Sequence, residues 1–442
     1  MADKNLTELA RNTALIAQKA GARDARVFLS RSRNVTLEWR DGKLDRIRES
    51  TSQGLSIDLY VEGRYSSNST SDLRTEAIND YVKTAVATTK YLAVDEHRKL
   101  PDPSRYKGMT KDDLERSDPM VSNIKPEERL AQARQLEEAV RAGDKAKKIV
   151  SATSWVSDTS SITAGFATNG FEATESGTSF SRGVEASVRD TKDRKPSGVD
   201  YGSTRFLADL PKIKSLGEGA LKRAMDQLGS KQVKTDVYQV IMENRVVPTF
   251  VRHLLSPLSG SSIQQKRSFL EDKIDKEVGS KLLTINSDPH LKRGLASTAW
   301  DGEGMSTTRR PIFDKGVLKT FFLDTYYASK LGVDPTTSSK SNLIWQPGNQ
   351  SVKEMIKGMA RGIYITSFLG GNSNSTTGDF SLGIKGHLVE NGKIVHPVSE
   401  MNMAGNHLKF WGNLAEVGND PWMHSSNRSP SLMFKDVQCS GA

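Results

Sequence analysis

Two histidines, His387 and His396, are spaced so that they could act together at a metal. They flank Asn391-Gly392, a dipeptide typical of a two-residue type I′ hairpin turn. Such a turn pairs Glu390 with Lys393, and counting back along both strands places the two imidazole rings directly opposite each other. The pair could be half of a metal site or two rings in contact across the strands. The sequence offers no third ligand at a suitable spacing, which favours the ring contact.

The single cysteine, Cys439, could act as a nucleophile only if a base were positioned beside it. No such base can be assigned from the sequence, so we expect no catalytic thiol. One thiol cannot form an internal disulfide, so nothing requires an oxidising compartment. P-loop and G-x-G-x-x-G motifs are absent from the sequence, which leaves nucleotide binding without support.

The best candidate for a binding site is the polar, glycine-rich segment 370–379, which lies between two apolar runs. Glycines and short polar side chains leave backbone amides open to an extended peptide or a partner chain. A plain surface loop is equally compatible with this composition. The residues predicted to bind peptide are Gly370, Gly371, Asn372, Thr377, Gly378 and Asp379.

The length and the charge of the chain limit the kinds of protein that it could be. With 442 residues the chain exceeds the roughly 250–300 residues at which single cores stop growing, so two or three domains are expected. The formal net charge of +10 could suit nucleic acid, but the basic residues are spread along the chain and no nucleic-acid-binding motif is present. We therefore do not expect nucleic acid as a partner.

The sequence carries no targeting or membrane signal. The first residues, Met1-Ala2-Asp3-Lys4-Asn5, lack the basic and then apolar pattern of a signal peptide. No apolar run approaches the ~18 residues of a membrane-spanning helix. We expect a cytoplasmic protein that does not enter a membrane.

Hydrophobic periodicity predicts the elements that must position these residues. The predicted helices cover residues 3–20, 72–92, 126–143 and 212–228. Strand-like alternation occurs at 27–29, 35–39, 55–61 and 148–190. Together with the four helices these strands give a helix–strands–helix plan that occurs twice. From residue 231 strands and Asn-Gly turns dominate, apart from a short helix at 246–258. The predicted class is α+β, with helix–strands–helix units in an N-terminal α+β domain (1–110) and a central α+β domain (111–230), followed by a strand-rich C-terminal domain (231–442).

The last third of the chain carries a series of short phrases in a characteristic order. They include Asp288-Pro289-His290-Leu291, Asp301-Gly302-Glu303-Gly304, Leu323-Asp324-Thr325-Tyr326, Thr377-Gly378-Asp379-Phe380-Ser381, Pro397-Val398-Ser399-Glu400 and Val417-Gly418-Asn419-Asp420. Their order and spacing resemble the PmbA/TldE branch of the TldD/TldE peptidase family, also called modulators of DNA gyrase. The resemblance covers roughly residues 235–442 well and the earlier chain by its general layout.

The resemblance implies where a zinc site would lie. The TldD type of subunit has a His-Glu-x-x-x-His helix, in which two histidines reach one metal and the glutamate activates its water. The corresponding helix here is expected within 246–259, which contains His253 and no acidic residue. Leu254 and Pro257 cannot bind zinc. We therefore predict no catalytic residue, no metal ligand and no cofactor in this chain, and zinc only in a TldD-type partner.

What the resemblance implies about function is a PmbA/TldE-like subunit of a TldD/TldE-type metallopeptidase. Such a subunit would pair with a homologous TldD-type chain, form a homodimer when alone, and bind extended peptide substrates, either unfolded or leader segments. Two alternatives remain open. One is a regulatory binding protein that acts on DNA gyrase or a toxin–antitoxin pair, and the other is a self-sufficient homodimeric hydrolase with an unrecognised site.

Overall fold

The computed structural model describes residues 3–143, 147–191 and 193–441. The helices are α1 (Asp3–Lys19), α2 (Thr75–Thr89), α3 (Pro126–Arg141), α4 (Ile213–Met225), α5 (Val247–Leu255), α6 (Gly260–Gln264), α7 (Thr325–Leu331), α8 (Val352–Lys357) and α9 (His407–Gly412). The strands are β1 (Asp24–Arg40), β2 (Lys43–Val61), β3 (Arg64–Thr70), β4 (Ile149–Ala167), β5 (Glu172–Val188), β6 (Ser197–Thr204), β7 (Asp236–Met242), β8 (Ile285–Asp288), β9 (Arg310–Asp314), β10 (Val317–Leu318), β11 (Asn342–Trp345), β12 (Arg361–Ser373), β13 (Asp379–Glu390), β14 (Lys393–Asn406), β15 (Leu414–Val417), β16 (Asn427–Arg428) and β17 (Leu432–Ser440). This arrangement confirms the predicted α+β class with a strand-rich C-terminal part.

The first half of the chain repeats one plan, a helix, three strands and a second helix. The six strands form a single antiparallel sheet in the order β3-β2-β1-β4-β5-β6. The two units join where β1 pairs with β4, for example Leu29 opposite Ala164. The predicted repetition is therefore confirmed, while the division at residues 110 and 111 stays a prediction. Strand β6, at one edge of this sheet, is important for the site described below.

One face of β1 meets both pairs of helices. Val27 and Leu29 pack in the core beneath α1 and α2, and Leu37 and Trp39 pack in the core beneath α3 and α4. Side chains alternate between the two faces of a strand, so these four residues share a face. The two segments predicted as separate strands are continuous in β1, because pairing with β2 and β4 on both edges keeps the polar residues between them extended. None of the helices in the described ranges is long and apolar enough to cross a membrane.

The opposite face of the first sheet packs against the C-terminal part. Phe28 stacks on Trp300 with ring centroids 5.5 Å apart. Arg26, which is buried, pairs with Asp58 at 2.7 Å and with Glu303 at 3.4 Å. Breaking such a buried pair would leave an uncompensated charge, so these contacts hold the two halves in one orientation.

The C-terminal part is built from two sheets around an aromatic core. The larger sheet has the order β14-β13-β12-β7-β17-β15, and a further pairing of β14 with β17 closes it on itself. The smaller sheet has the order β10-β9-β8-β11-β16. Helix α5 lies in the main core, where the fully buried ring of Phe250 contacts Phe410 and Trp411. The close packing of these rings fixes which side of α5 faces outward.

Candidate functional site

Helix α5 has the place in the sequence where the zinc-binding helix was expected. The predicted helix is confirmed, with its end at Leu255 rather than 258, because Pro257 lacks a backbone N–H and the chain continues as a 3-10 turn. The residues that it buries are Val247, Phe250, Val251, Leu254 and Leu255. Thr249 and Arg252 are exposed, and His253 is half-buried. The outer side of α5 therefore offers one imidazole and no carboxylate.

The nearest imidazole to His253 belongs to His407, with ring centroids 6.4 Å apart. His407 is fully buried, and its Nε2 atom lies 2.9 Å from the Ser373 hydroxyl. Burial, together with nearby His253, lowers the pKa of His407 to about 3, so the ring is neutral near pH 7. Within the described ranges no three His, Cys, Asp or Glu side chains are grouped closely enough to hold a metal ion. Two imidazoles are fewer than the three protein ligands that a catalytic zinc site takes beside its water.

The predicted pairing of His387 with His396 is wrong. The turn forms as expected, since Asn391 and Gly392 both have positive φ, 47° and 73°. A β-bulge between the two strands then shifts the register, so that His396 lies opposite Leu388. This shift puts the two rings on opposite faces of the sheet. His387 instead donates from Nε2 to the backbone oxygen of Asp226 at 3.1 Å.

The glycine-rich segment 370–379 is divided between a strand and a hairpin tip. Gly370, Gly371 and Asn372 lie on β12 and pair with residues 381–383 of β13. A side chain at Gly371 would place its Cβ only 2.2 Å from the backbone oxygen of Ser381, so glycine is required for this close approach. These three residues are exposed, and their role in binding peptide stays a prediction.

Most hydrogen bonds of the hairpin tip, residues 374–379, run between its own residues. The Gly378 amide donates to the backbone oxygen of Asn374 at 2.8 Å. The Asp379 carboxylate accepts from the Thr377 hydroxyl at 2.8 Å and from the Asn406 side chain at 2.9 Å. These hydrogen bonds lower the pKa of Asp379, with Asn406 contributing most. A peptide that bound at the tip would have to contact exposed side chains or replace these internal bonds.

A second site lies between the two halves of the molecule, in a cleft of about 640 Å³. We call it the interdomain cleft. It is bounded by β6 and α4 on one side, and by the end of β7, the start of α5, and strands β12 and β13 on the other. Its lining includes the charged residues Asp200, Arg223, Glu243, Arg245 and Lys385, and the imidazole of His387.

Ion pairs join the two walls of the interdomain cleft. Arg245 donates to Asp200 at 2.5 Å, and Arg223 pairs with Glu243. Burial opposes the charge on Arg223, but the Glu243 carboxylate outweighs it and raises the pKa of Arg223. Gly219 allows this geometry, because a Cβ there would lie 2.0 Å from an Asp200 carboxylate oxygen. Helix α4 can therefore pack against β6 with the Asp200 carboxylate between them, where that carboxylate meets Arg245.

Two basic groups on β13 line the same cleft. Lys385 makes no ion pair within 4.0 Å to any described residue, and burial lowers its pKa. Burial also lowers the pKa of His387, which keeps its ring neutral. Its Nε2 atom must carry the hydrogen that is donated to Asp226, so Nδ1 is an acceptor, and it has no partner in the described chain. The cleft thus contains polar groups whose bonding capacity is not used.

Burial keeps the Cys439 thiol and the Tyr364 hydroxyl in their protonated forms. The Cys439 thiol is buried in β17, where burial raises its pKa to about 12, so it is not a nucleophile in this structure. Burial likewise raises the pKa of Tyr364 in the cleft, so its hydroxyl stays protonated. Sequence reasoning did not find the cleft, because its residues come from distant segments. The one local signal was Glu243 and Arg245, two charges between an apolar strand and an apolar helix.

Comparison with known protein families covers most of the chain. Residues 235–441 match the PmbA/TldA metallopeptidase C-terminal domain, residues 25–89 match domain 1, and residues 120–228 match the central domain. The first two of these domains in the chain, 25–89 and 120–228, lie in the two units of the first sheet, and the third covers both C-terminal sheets.

Individual relatives match over the whole length. The metalloprotease PmbA of Escherichia coli O157:H7 is 30% identical over 100% of this chain and 97% of its own. A candidate modulator of DNA gyrase from Bacteroides thetaiotaomicron, of known structure, is 39% identical with a TM-score of 0.95 over 98% of both chains. TldE from Thermococcus kodakarensis, 18% identical with a TM-score of 0.86 over 98% of this chain and 100% of its own, shares the fold.

Proposed function

The chain belongs to the PmbA/TldD metallopeptidase family, and we propose that it is a subunit of a TldD/TldE-type peptidase that binds peptide but has no zinc site of its own. Its partner would be a homologous TldD-type chain, and its location the cytoplasm. Hydrolysis of unfolded or leader peptides would take place at the partner's zinc site. This chain would bind and orient the peptide, which lowers the entropic cost of reaching a reactive geometry.

The outer side of α5 is the observation that supports this proposal most directly. A zinc peptidase of this type needs two histidines and a glutamate on one helix. Helix α5 has His253 alone, and the nearest imidazole, His407, is buried with its Nε2 atom already beside Ser373. Recruiting His407 as a ligand would require the aromatic core around it to open, which close packing opposes.

The pattern of relatives gives a second support. The E. coli PmbA relative aligns with 100% of this chain, whereas the zinc metalloprotease TldD homologue of Saccharolobus solfataricus aligns with 53% of it. Among the relatives compared, those that align with nearly all of this chain are of the PmbA type, whereas one PmbA homologue and the TldD homologues align with about half of it. The full-length similarity to PmbA-type relatives supports the assignment to the PmbA type of subunit.

The test compares this chain alone, a TldD-type partner alone, and the mixture, on an unfolded protein substrate. We expect this chain to hold no zinc after dialysis against a chelator, and to cleave nothing by itself. The mixture should cleave the substrate in a chelator-sensitive reaction. His253→Gln in this chain should change neither the zinc content nor the activity of the mixture, because His253 is not proposed as a ligand.

The alternatives give different results in the same experiment. One tightly held zinc per chain, lost in His253→Gln, would contradict the proposal. Chelator-sensitive cleavage by this chain alone would favour the self-sufficient homodimeric hydrolase. Failure of the mixture to cleave, with the partner shown to be active in another assembly, would favour a regulatory binding protein that acts on gyrase or a toxin–antitoxin pair.

A further inference from the structure

We propose that the interdomain cleft binds an extended peptide, whose backbone pairs with the outer edge of β6 and whose acidic group lies against Lys385. The inference rests on the proposed function only in that this chain binds peptides. It does not depend on a TldD-type partner or on hydrolysis, so it can be tested on the isolated chain.

The outer edge of β6 has backbone groups that point into the cleft. Strand β6 pairs only with β5 among the described strands. The Val188 amide donates to the Pro196 oxygen at 3.0 Å, which makes these two a hydrogen-bonded pair. Because such pairs alternate along an antiparallel ladder, the even-numbered residues of β6 bond to β5. The N–H and C=O groups of Ser197, Val199 and Tyr201 therefore point away from β5.

An extended peptide is the ligand that uses such an edge. Ser197, Val199 and Tyr201 all line the cleft, and their backbone groups have no partner in the described part of the chain. A strand placed beside them would continue the sheet through main-chain hydrogen bonds, and alternate side chains would enter the cleft. Phe368 and the half-exposed Ile394 give apolar surface for those side chains. A small ion would leave all of this unused.

The charges in the cleft indicate the sign of the ligand. Its three acidic residues are already paired, Asp200 with Arg245, Glu243 with Arg223, and Asp226 with Lys222. Lys385 is the remaining cation of the cleft lining, and its strongest attraction is to Glu185 of β5, beyond ion-pair distance. A half-buried ammonium without a close partner is costly, and a carboxylate compensates for that cost. The peptide should therefore carry an acidic group near its cleft-bound segment.

Binding is measured by fluorescence anisotropy on the purified full-length chain. The probes are unstructured, fluorescein-labelled peptides of about ten residues that differ at one central position, Glu, Gln or Lys. Because a hydrogen bond to a charged group is stronger than one between neutral groups, we expect the Glu peptide to bind at least about tenfold more tightly than the Gln peptide. Equal affinities for all three peptides would overturn the electrostatic part of the inference.

Variants at Lys385 test the charge. Lys385→Gln should remove the preference for the Glu peptide, and Lys385→Glu should reverse it in favour of the Lys peptide. Lys435→Gln, an exposed lysine on β17 outside the cleft lining, is the matched control and should keep the original preference. A reversal of the peptide preference cannot result from misfolding, so Lys385→Glu tests the role of the charge even if this variant is less stable.

Variants on β6 test the backbone pairing. Val199→Pro removes an outward-pointing amide without taking a hydrogen bond from β5, a position where sheets tolerate proline. It should weaken all three peptides by a similar factor of about ten. Ser203→Pro changes an outward amide of the same strand outside the cleft lining, and should bind as the unmodified chain does.

Three results would overturn the inference. Unchanged binding in both Val199→Pro and Lys385→Gln, with loss in an Asp379→Ala variant, would place the peptide on the hairpin tip instead. Loss with Lys385→Gln but not with Val199→Pro, together with competition by inorganic phosphate, would indicate an anion site. If no peptide bound, the cleft would not be a peptide-binding site. The partner-dependent cleavage of the proposed function would still be tested by the assay of the mixture.

Discussion

The buried imidazole of His407 should make the protein sensitive to mild acid. Its ring lies between Phe269, which stacks on it at 5.5 Å, and Phe380, at 4.9 Å. The only hydrogen-bond partner found for it is the Ser373 hydroxyl, because its Nδ1 atom has none in the described chain. Placing a proton on this ring would put an unpaired charge in an aromatic core.

The sign and size of the effect follow from the two pKa values. Burial lowers the pKa of His407 from 6.5 to about 3 in the folded protein. The unfolded chain therefore binds a proton as the pH falls below about 6.5, while the folded chain does not until about pH 3. Stability is lost across that window. Between about pH 7 and pH 5, linkage gives a loss of about 2 kcal/mol from this residue alone.

Replacing the ring isolates this contribution. In His407→Phe the aromatic packing is kept and the titrating group is removed, while Ser373 loses its partner at a cost of about 1 kcal/mol at every pH. Urea unfolding is followed by tryptophan fluorescence, to which the nearby buried Trp411 contributes. The unmodified chain should lose about 2 kcal/mol more than His407→Phe between about pH 7 and pH 5.

A matched control uses His396, which lies half exposed on β14, in the variant His396→Phe. This variant should lose stability with falling pH as the unmodified chain does. If His407→Phe and the unmodified chain showed the same pH dependence, the folded protein would have to admit the proton. The reasoning from burial would then be refuted, whatever the stability at neutral pH.

Two further predictions concern assembly and the first sheet. In light scattering at micromolar concentration the chain alone should be a dimer, because the long exposed edge of β2 between residues 43 and 53 can pair with a second copy. A monomer would contradict the homodimer. Failure to co-purify with a co-expressed TldD-type chain would separately contradict the heteromer. Asp158→Ala should lower the free energy of unfolding by about 3–5 kcal/mol, because it leaves Arg129 buried without its bidentate partner. The control Asp272→Ala, on the surface, should lower it by less than about 0.5 kcal/mol. Equal losses in calorimetry would show that the buried ion pair stabilises the fold no more than a surface one does.

Much of the secondary structure could be predicted because its causes are local. The predicted first helix, 3–20, differs from α1 by one residue at its end, and Gly21 follows with a φ of 108° that few other residues adopt. Pro126 begins α3 as expected, since proline is preorganised for the first turn. The Asn391-Gly392 turn needs positive φ at both residues, which these two types accept readily. In each case neighbours in the sequence decide the conformation.

Strand register was not predictable in the same way. The turn at Asn391-Gly392 was correct, yet His387 and His396 ended on opposite faces because a bulge follows the turn. That bulge lies between β13 and β14, and β13 is also paired with β12 along the same stretch. Its position depends on how β13 pairs with the strands on both of its sides, and no local pattern in the sequence encodes that pairing.

The sequence by itself determined the family, the repeated helix–strands–helix plan, and a helix α5 with one histidine and no acidic residue. These follow from residue type and spacing. Only the tertiary structure decided that His407 lies beside His253, and that Asp200, Glu243 and Lys385 meet in one cleft. Those contacts join residues up to 185 positions apart, between Asp200 and Lys385 (385 − 200). They exist because the first sheet and the C-terminal part pack against each other, an energetic outcome of many burial events rather than of any short motif.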